Sequence, residues 1–259
     1  GLIHPNAVKF AAAIEILHLA TLVHDDIIDD ADLRRGIPTL HKKFGKRAAV
    51  ICGDYLMAVA LRLCTEIPNK QDYLNLEVPD YISKVCFGEL YQYINNGNFD
   101  LSVYKYLKII SGKTAALFEA AFFAGAVLAG ADNSEIRNYK KLGRYVGMIF
   151  QLTDDCMDFE ATESIARKPV QSDFERNVIT LPLIYAFKNL DGLKEKAKEK
   201  KLSGKDISEA VTKSKGLVYT RKVARKYYDK YMEILNSMNI AEDKKDGLEK
   251  ILKKAFREF

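Results

Sequence analysis

The chain predicts an all-α fold, a single-domain helical bundle, and three observations carry that reading. Only six prolines interrupt its 259 residues. Long stretches repeat apolar residues at three- and four-residue spacing, as amphipathic helices do. No stretch of useful length alternates apolar and polar residues in the manner of a strand.

The first helix is predicted over PNAVKFAAAIEILHLATLVHDDIID, because Pro-Asn is a good helix opening and the apolar period persists to Asp25, Asp26, Asp29, Asp30 and Asp32. RAAVICGDYLMAVALRLCTEI and VPDYISKVCFGELYQYINNG predict the next two. LSVYKYLKIISGKTAALFEAAFFAGAVLAG reads as one long helix whose alanines and glycines suit close packing. SEIRNYKKLGRYVGMIFQLTDDCMDF runs an apolar face into a second acidic cluster. TLPLIYAFKN and two segments after Leu217 complete the bundle. Gly, Asn, Pro and Asp fill the connections. DGLKEKAKEKKLSGKD is lysine-rich, a solvated helix and loop with no assigned function.

Composition narrows the classes. A hydrophobic fraction of 48% supports a substantial core. No signal or transit segment opens the chain. No apolar run reads as long enough and free enough of charge to span a bilayer, Glu119 interrupting the best candidate. The cysteines Cys52, Cys64, Cys86 and Cys156 lack zinc or redox spacing and read as reduced core thiols of a cytoplasmic protein. The net charge of +5 is mild, and it gives no ground for a nucleic-acid partner.

The acidic clusters carry the chemistry. On a helix, Asp25 and Asp29 share one face about 6 Å apart. Two carboxylates at that distance repel, and a divalent cation removes the conflict. Mg2+ is the hard, oxygen-seeking choice, keeping waters and taking further oxygens from a substrate phosphate. Taken alone, such a cluster reads more readily as a solvated helix end than as a metal site. A second copy, Asp154, Asp155 and Asp158, repeats the spacing at the end of another apolar helix. Two such helices can face one another across a bundle core, with metal and diphosphate at the mouth and a hydrocarbon tail below. Arg34, Arg35, Lys113 and Lys168 lie near these motifs and suit a polyanion, arginine through bidentate bonds and lysine as a point charge.

HLATLVHDDIIDDADLRRGIPTLH, GDYL, GELYQ, KTAALF, FQLTDDCMDF, KPVQSDF and TLPLIYA, in that order, resemble the trans-type isoprenyl diphosphate synthases, also called polyprenyl synthetases. The resemblance implies an isoprenoid synthase type of helical bundle around a deep central cavity, usually a homodimer. It implies head-to-tail condensation of isopentenyl diphosphate onto an allylic diphosphate, farnesyl or similar. It further implies Mg2+, about three ions with diphosphate bound. By position, Asp25 and Asp29 resemble the first metal ligands, with Asp26 supporting. Asp154 resembles the principal ligand of the second motif, and Asp158 is reached through water. Arg34, Lys113, Thr114, Gln151 and Lys168 match contacts to the allylic diphosphate. Arg35 and His18 match positions that hold isopentenyl diphosphate, although His18 by itself reads as a satisfied core histidine. The implied reaction is ionisation, condensation and elimination, with charge on the departing diphosphate stabilised electrostatically and water excluded from the cation.

Ala20 and Thr21 set the expected product. Thr21 lies about one turn, roughly 5–6 Å, beneath Asp25. In the family, aromatics at these two positions act as a floor that stops growth. Small residues imply an open pocket and a long-chain product. Two departures matter. The family's Gly-Lys-x-x-Arg-Pro segment has no match in the 24 residues before Asp25, so the domain over residues 1–259 is expected to lack its N-terminal helices. Asn177 and Val178 stand where the family often has Gly-Lys, as in some two-subunit long-chain synthases, so a heteromeric partner is an alternative to the homodimer. The rival readings are a non-catalytic or weakly active subunit of such a pair and a class I terpene cyclase, whose second metal site normally mixes Asn, Ser or Thr with Glu.

Overall fold

The structure is a computed structural model that describes residues 4–66, 78–160, 172–199 and 201–257. Two compact units are formed, Gly1–Tyr81 with Ala120–Tyr139 and Ile82–Glu119 with Lys140–Phe259.

In the first unit, α1 (Pro5–Ile28) starts where Pro5 needs no donor and the His4 ring accepts from Asn6 N at 3.2 Å. It buries Phe10, Ala13, Leu17, Ala20 and Val23, a stripe at three- and four-residue spacing. After a hairpin and the short α2 (Leu40–Phe44), α3 (Lys46–Thr65) packs against α1 through Ala49, Gly53, Ala60 and Cys64. These small residues let the axes approach closely. A Cβ on Gly53 would lie 2.3 Å from His24 Nε2, so the GDYL stretch supplies the seat for the His24 ring, which faces Asp54 Oδ1 at 3.2 Å.

The hairpin departs from the all-helical expectation. β1 (Leu33–Arg34) and β2 (Ile37–Pro38) pair antiparallel, Leu33 opposite Pro38 and Arg34 opposite Ile37. Arg35 and Gly36 at its tip have φ of 54° and 79°, the double positive-φ turn that matches strand twist. Thr39 closes the base, its N–H donating to Asp32 O at 3.0 Å and its hydroxyl to Ala31 O at 2.7 Å. Strands of two residues leave no alternation to find.

The second unit contains most of α4 (Val78–Asn95), then α5 (Val103–Ile110), a π-helical turn (Ser111–Ala115) and the start of α6 (Ala116–Leu128). The single long helix expected over this stretch runs without a gap from Val103 to Leu128, with the π turn set inside it. Such turns concentrate at functional sites because they redirect side chains. Glycines flank it on both sides. A Cβ on Gly88 of α4 would lie 2.1 Å from Lys113 N and 2.5 Å from Gly112 C. One on Gly147 of α7 (Asn133–Glu160) would lie 2.5 Å from Ala115 Cα. Backbone meets backbone at each contact.

Asp132 caps α7, accepting from Ser134 N at 2.7 Å and Glu135 N at 2.9 Å, while Glu135 Oε2 accepts from Asp132 N, a capping box. The short α8 (Ser172–Glu175) precedes α9 (Leu181–Asn189), the TLPLIYA helix, which is buried nearly all round and fills the core of this unit. Leu152, Ile110, Ile207 and Val211 pack in the same cluster. The lysine-rich segment forms α10 (Leu193–Lys198). It leads into α11 (Gly204–Ser214), which the sequence reading left unassigned although Ser203 and Asp206 form a capping box. The two C-terminal helices appear as expected, α12 (Gly216–Ser237) and α13 (Glu242–Phe256).

Two expectations are corrected. Pro5–Ile28, Lys46–Thr65 and Val103–Leu128 are long and apolar enough, by length and composition, to cross a membrane. A span tolerates an isolated charge, so Glu119 alone did not disqualify the third. The cysteines are not uniformly core residues. Cys64 and Cys156 are buried, Cys52 is half-buried and Cys86 is exposed, all four with free thiols. Burial pushes Cys64 up to about 11 and Cys156 up to about 12, which keeps both inert as nucleophiles.

Candidate active site

The first motif occupies the C-terminal end of α1. Asp29 is the cap residue, and its N–H donates to Asp25 O at 2.8 Å. The α-helical register therefore reaches both aspartates, and they stay one turn apart as the spacing predicts. Asp26 points elsewhere. It is 7% exposed, and Arg34 grips it from the hairpin, Nε donating to its two oxygens at 2.9 and 3.0 Å and Nη2 lying 2.7 Å from Oδ1. A buried carboxylate requires such a partner.

His18 is half-buried on the same helix. Burial is the main influence holding its imidazole below the ordinary range. Glu15 opposes this, while Arg34 and Arg35 reinforce it. The structure thus brings His18, Arg34 and Arg35 within electrostatic reach of one another. Ala20 and Thr21 differ. Ala20 has 0% exposure, so it does not border open space as expected. Thr21 is partly exposed, its hydroxyl donating to His18 O at 2.7 Å.

The second motif lies on the last turns of α7. Asp154 is 54% exposed, with Arg257 Nη2 at 3.6 Å from its Oδ1. The Arg257 guanidinium also reaches Met157 Sδ and lies over the Phe150 ring at 5.4 Å. Asp155 turns inward and is 2% exposed. The Tyr106 hydroxyl of α5 donates to its Oδ2, and Gln151 Nε2 donates to its Oδ1 at 2.8 Å. Gln151 Oε1 accepts from the Thr114 hydroxyl at 2.7 Å. This chain joins the motif to the π turn. Burial and the Asp155 charge push the Tyr106 phenol well up, so it stays a donor. Lys113 on that turn meets Glu89 Oε2 at 2.8 Å. Lys168, expected to contact diphosphate, lies outside the described residues.

Asp173 was missed by sequence reasoning. Its N–H approaches Asp158 Oδ2 at 3.5 Å. Burial, then the charges of Asp158, Asp155 and Asp154, push its carboxyl up to about 8. Burial likewise pushes Asp155 up to about 7, against the pull of its two donors. Asp173 falls in the KPVQSDF stretch and Glu89 in GELYQ, so both had a signal. Tyr106 had none, being one aromatic among many on a helix.

These raised carboxyls set a pH dependence. Both bind a proton more tightly folded than unfolded, so their stabilisation is complete below the ordinary Asp value near 3.8 and is lost as pH rises through about 7 to 8,. The melting temperature is expected to fall by a few degrees between about pH 5.5 and 8.5, with Asp155→Asn flattening the slope. A wild-type melting curve indifferent to pH over this interval would contradict the assignment.

Among the described residues no three His, Cys, Asp or Glu side chains gather into a ready-made metal cage. Each motif offers hard oxygen donors of its own, Asp25 and Asp29 at the end of α1 and Asp154 and Asp158 at the end of α7. They suit Mg2+, which takes the remainder of its shell from water and phosphate.

A family model described as Polyprenyl synthetase matches residues 3–215. The chain is 44% identical over 176 residues to a heptaprenyl diphosphate synthase component 2 of Geobacillus stearothermophilus, covering 68% of this chain but 54% of that protein. It is 35% identical over 240 residues to the component 2 of Bacillus subtilis (strain 168), covering 90% of this chain and 68% of the relative. The crystal structure of heptaprenyl diphosphate synthase from Staphylococcus aureus superposes with a TM-score of 0.89 at 30% identity, over 98% of this chain and 80% of that one. The chain spans just over half the length of the first of these relatives.

Proposed function

The chain belongs to the polyprenyl synthetase family, and from that premise we propose that it is a long-chain trans-polyprenyl diphosphate synthase, a prenyltransferase that condenses isopentenyl diphosphate onto an allylic diphosphate. The observation that carries this reading is the arrangement within each motif. The outer aspartates, Asp25 with Asp29 and Asp154 with Asp158, keep the spacing that suits Mg2+, while the middle one is enclosed.

Asp25 with Asp29, and Asp154 with Asp158, would each hold Mg2+, which when bound supplies charge neutralisation for a departing diphosphate. Arg34 presents a guanidinium already oriented by Asp26, with donors left over for an anion. Lys113, fixed by the π turn and Glu89, adds a cation for the allylic diphosphate, and Gln151 and Thr114 hold the segment that bears it. Arg35 and His18, the latter kept neutral by burial, contact isopentenyl diphosphate. The apolar residues leading to each motif bind the hydrocarbon and exclude water from the cation. No side-chain nucleophile is needed.

Incubation with radiolabelled isopentenyl diphosphate, farnesyl diphosphate and Mg2+ is the test. Labelled products longer than geranylgeranyl on reversed-phase chromatography are expected. A chain that binds diphosphate with Mg2+ but yields no extended product, alone or with a partner, would overturn the reading. A heteromeric partner is proposed on two observations: Asn177 and Val178 replace the family's Gly-Lys, and two relatives carry the name component 2.

Product length should respond at Thr21. Thr21→Tyr is expected to shorten the main product by at least one isoprene unit with the fold intact. Ala20→Tyr, at a site without space, is instead expected to cost about 1–3 kcal/mol of stability. An unchanged product from Thr21→Tyr would remove Thr21 from the pocket.

A further inference from the structure

We infer that His41 is a positioning residue for the two arginines of the hairpin, and that it acts through the Thr39 hydroxyl. The ring Nδ1–H of His41 turns that hydroxyl away from α2 and onto the base of the hairpin. The inference rests on the function proposed above, because it gives His41 a part in presenting Arg34 and Arg35 to diphosphate.

Thr39 is the N-cap residue of α2, yet its side chain makes no capping hydrogen bond with the helix backbone. A threonine at this position ordinarily accepts from the backbone N–H of the second or third helical residue. Here the second residue is His41, and its ring takes that part, Nδ1 lying 3.1 Å from Thr39 Oγ1. Thr39 Oγ1 also lies 2.7 Å from Ala31 O. A carbonyl oxygen can only accept, and a hydroxyl has a single proton to give. That proton goes to Ala31, so Nδ1 carries the hydrogen donated to Thr39 Oγ1. The tautomer follows from the geometry, with donation running from His41 through Thr39 to Ala31.

The other ring nitrogen supports the assignment. His41 is 4% exposed, and its Nε2 is buried without a hydrogen-bond partner among the described residues. Asp30 Oδ1 stands 3.6 Å away, beyond hydrogen-bond length, and Lys42 and Lys46 pair with that carboxylate. A buried nitrogen left unpartnered costs stability, and an apolar ring would fill the same space without that cost. What an imidazole adds at this position is the Nδ1 donor.

The hairpin requires such a fastening. Its strands have two residues each, and a two-stranded ribbon alone is marginal in water. Ala31 and Asp32 precede β1 and Thr39 follows β2. The bonds from Thr39 N–H to Asp32 O and from its hydroxyl to Ala31 O therefore tie the two ends together. Between those ends lie Arg34, which grips Asp26, and Arg35 at the tip. An opened base would free both guanidinium groups from a fixed direction.

Substitutions that keep one ring nitrogen at a time separate this part from space-filling. Asn places an amide N–H close to Nδ1, Gln reaches toward Nε2, and Phe keeps a ring with neither nitrogen. The measurements are calorimetric titration with inorganic diphosphate at saturating Mg2+ and amide hydrogen exchange over residues 31–39. His41→Phe and His41→Gln are each expected to weaken diphosphate binding and to speed hairpin exchange about fivefold, the effect of one lost hydrogen bond. Exchange in α3 should stay as in wild type. His41→Asn is expected to remain within about twofold of wild type on both measures. Thr39→Val should match His41→Phe, and the double variant should be no worse than the poorer single one, because both break one contact. Nitrogen-15 spectra of histidine-labelled wild type should show His41 protonated at Nδ1.

Wild-type binding or exchange in His41→Phe, rescue by Gln in place of Asn, or a wild-type ring protonated at Nε2 alone each overturns the inference. The wild-type spectrum needs no substitution, so it decides the matter even where a variant fails to fold. A wild-type protein that binds no diphosphate with Mg2+ would instead refute the proposed function, while exchange and spectrum would still report on the His41 fastening.

Discussion

Asp25→Ala and Asp154→Ala are each expected to cut turnover by about 10^3-fold or more while leaving the far-ultraviolet circular dichroism unchanged. A factor of that size corresponds to about 4 kcal/mol of transition-state stabilisation, the range associated with removing a preorganised charge partner from a developing anion. The folding cost is small for Asp154. Its side chain is 54% exposed, and its Arg257 partner is itself partly exposed and rests on Phe150, so truncation strands no buried charge. Initial rates with labelled isopentenyl diphosphate at saturating Mg2+ give the measurement. A loss of less than about tenfold in both variants would mean that neither aspartate meets the reacting diphosphate.

Gly88→Ala should be the most destabilising of the single-methyl changes, lowering stability by about 3 kcal/mol or more. The added Cβ would lie 2.1 Å from Lys113 N, 2.5 Å from Gly112 C and 2.8 Å from Lys113 Cα. All three are backbone atoms, so no side chain can swing aside, and the strain must pass into α4 or the π turn. Chemical denaturation is the measurement, read as a lower midpoint at constant slope. Activity should fall in parallel because the displaced atoms carry Lys113. A Gly88→Ala protein with wild-type stability would mean that the two segments are not in contact. Gly125, where an added Cβ meets nothing within 4 Å, is the natural control.

Much of this could be read without coordinates, and particular residues show where legibility stopped. The long helices were legible because each needs an apolar stripe with a three-to-four-residue period, as at Phe10, Ala13, Leu17 and Ala20. The spacing of Asp25 and Asp29 was legible for the same reason, since a helical register fixes which side chains share a face. The inward turn of Asp26 and Asp155 was not. Adjacent residues on a helix diverge by about 100°, and which of two neighbouring aspartates enters the interior depends on partners distant in sequence, here Arg34 and Tyr106. The π turn was hidden because its residues, Ser-Gly-Lys-Thr-Ala, are compatible with an unbroken helix. The residues it packs against, Gly88 and Gly147, are distant in sequence. The burial of Ala20 was not legible on the same ground, since a small side chain signals room or tight packing equally well.

The tip of the hairpin has a consequence for how this surface can vary. Arg35 sits at φ 54°, a region disfavoured for side chains with a Cβ and comfortable for glycine. Residues that relax the loop therefore differ from residues that retain a guanidinium there. Selection for thermal robustness alone would drift this position toward glycine or asparagine and erase its charge, so persistence of arginine would itself record a demand imposed by what the loop must hold.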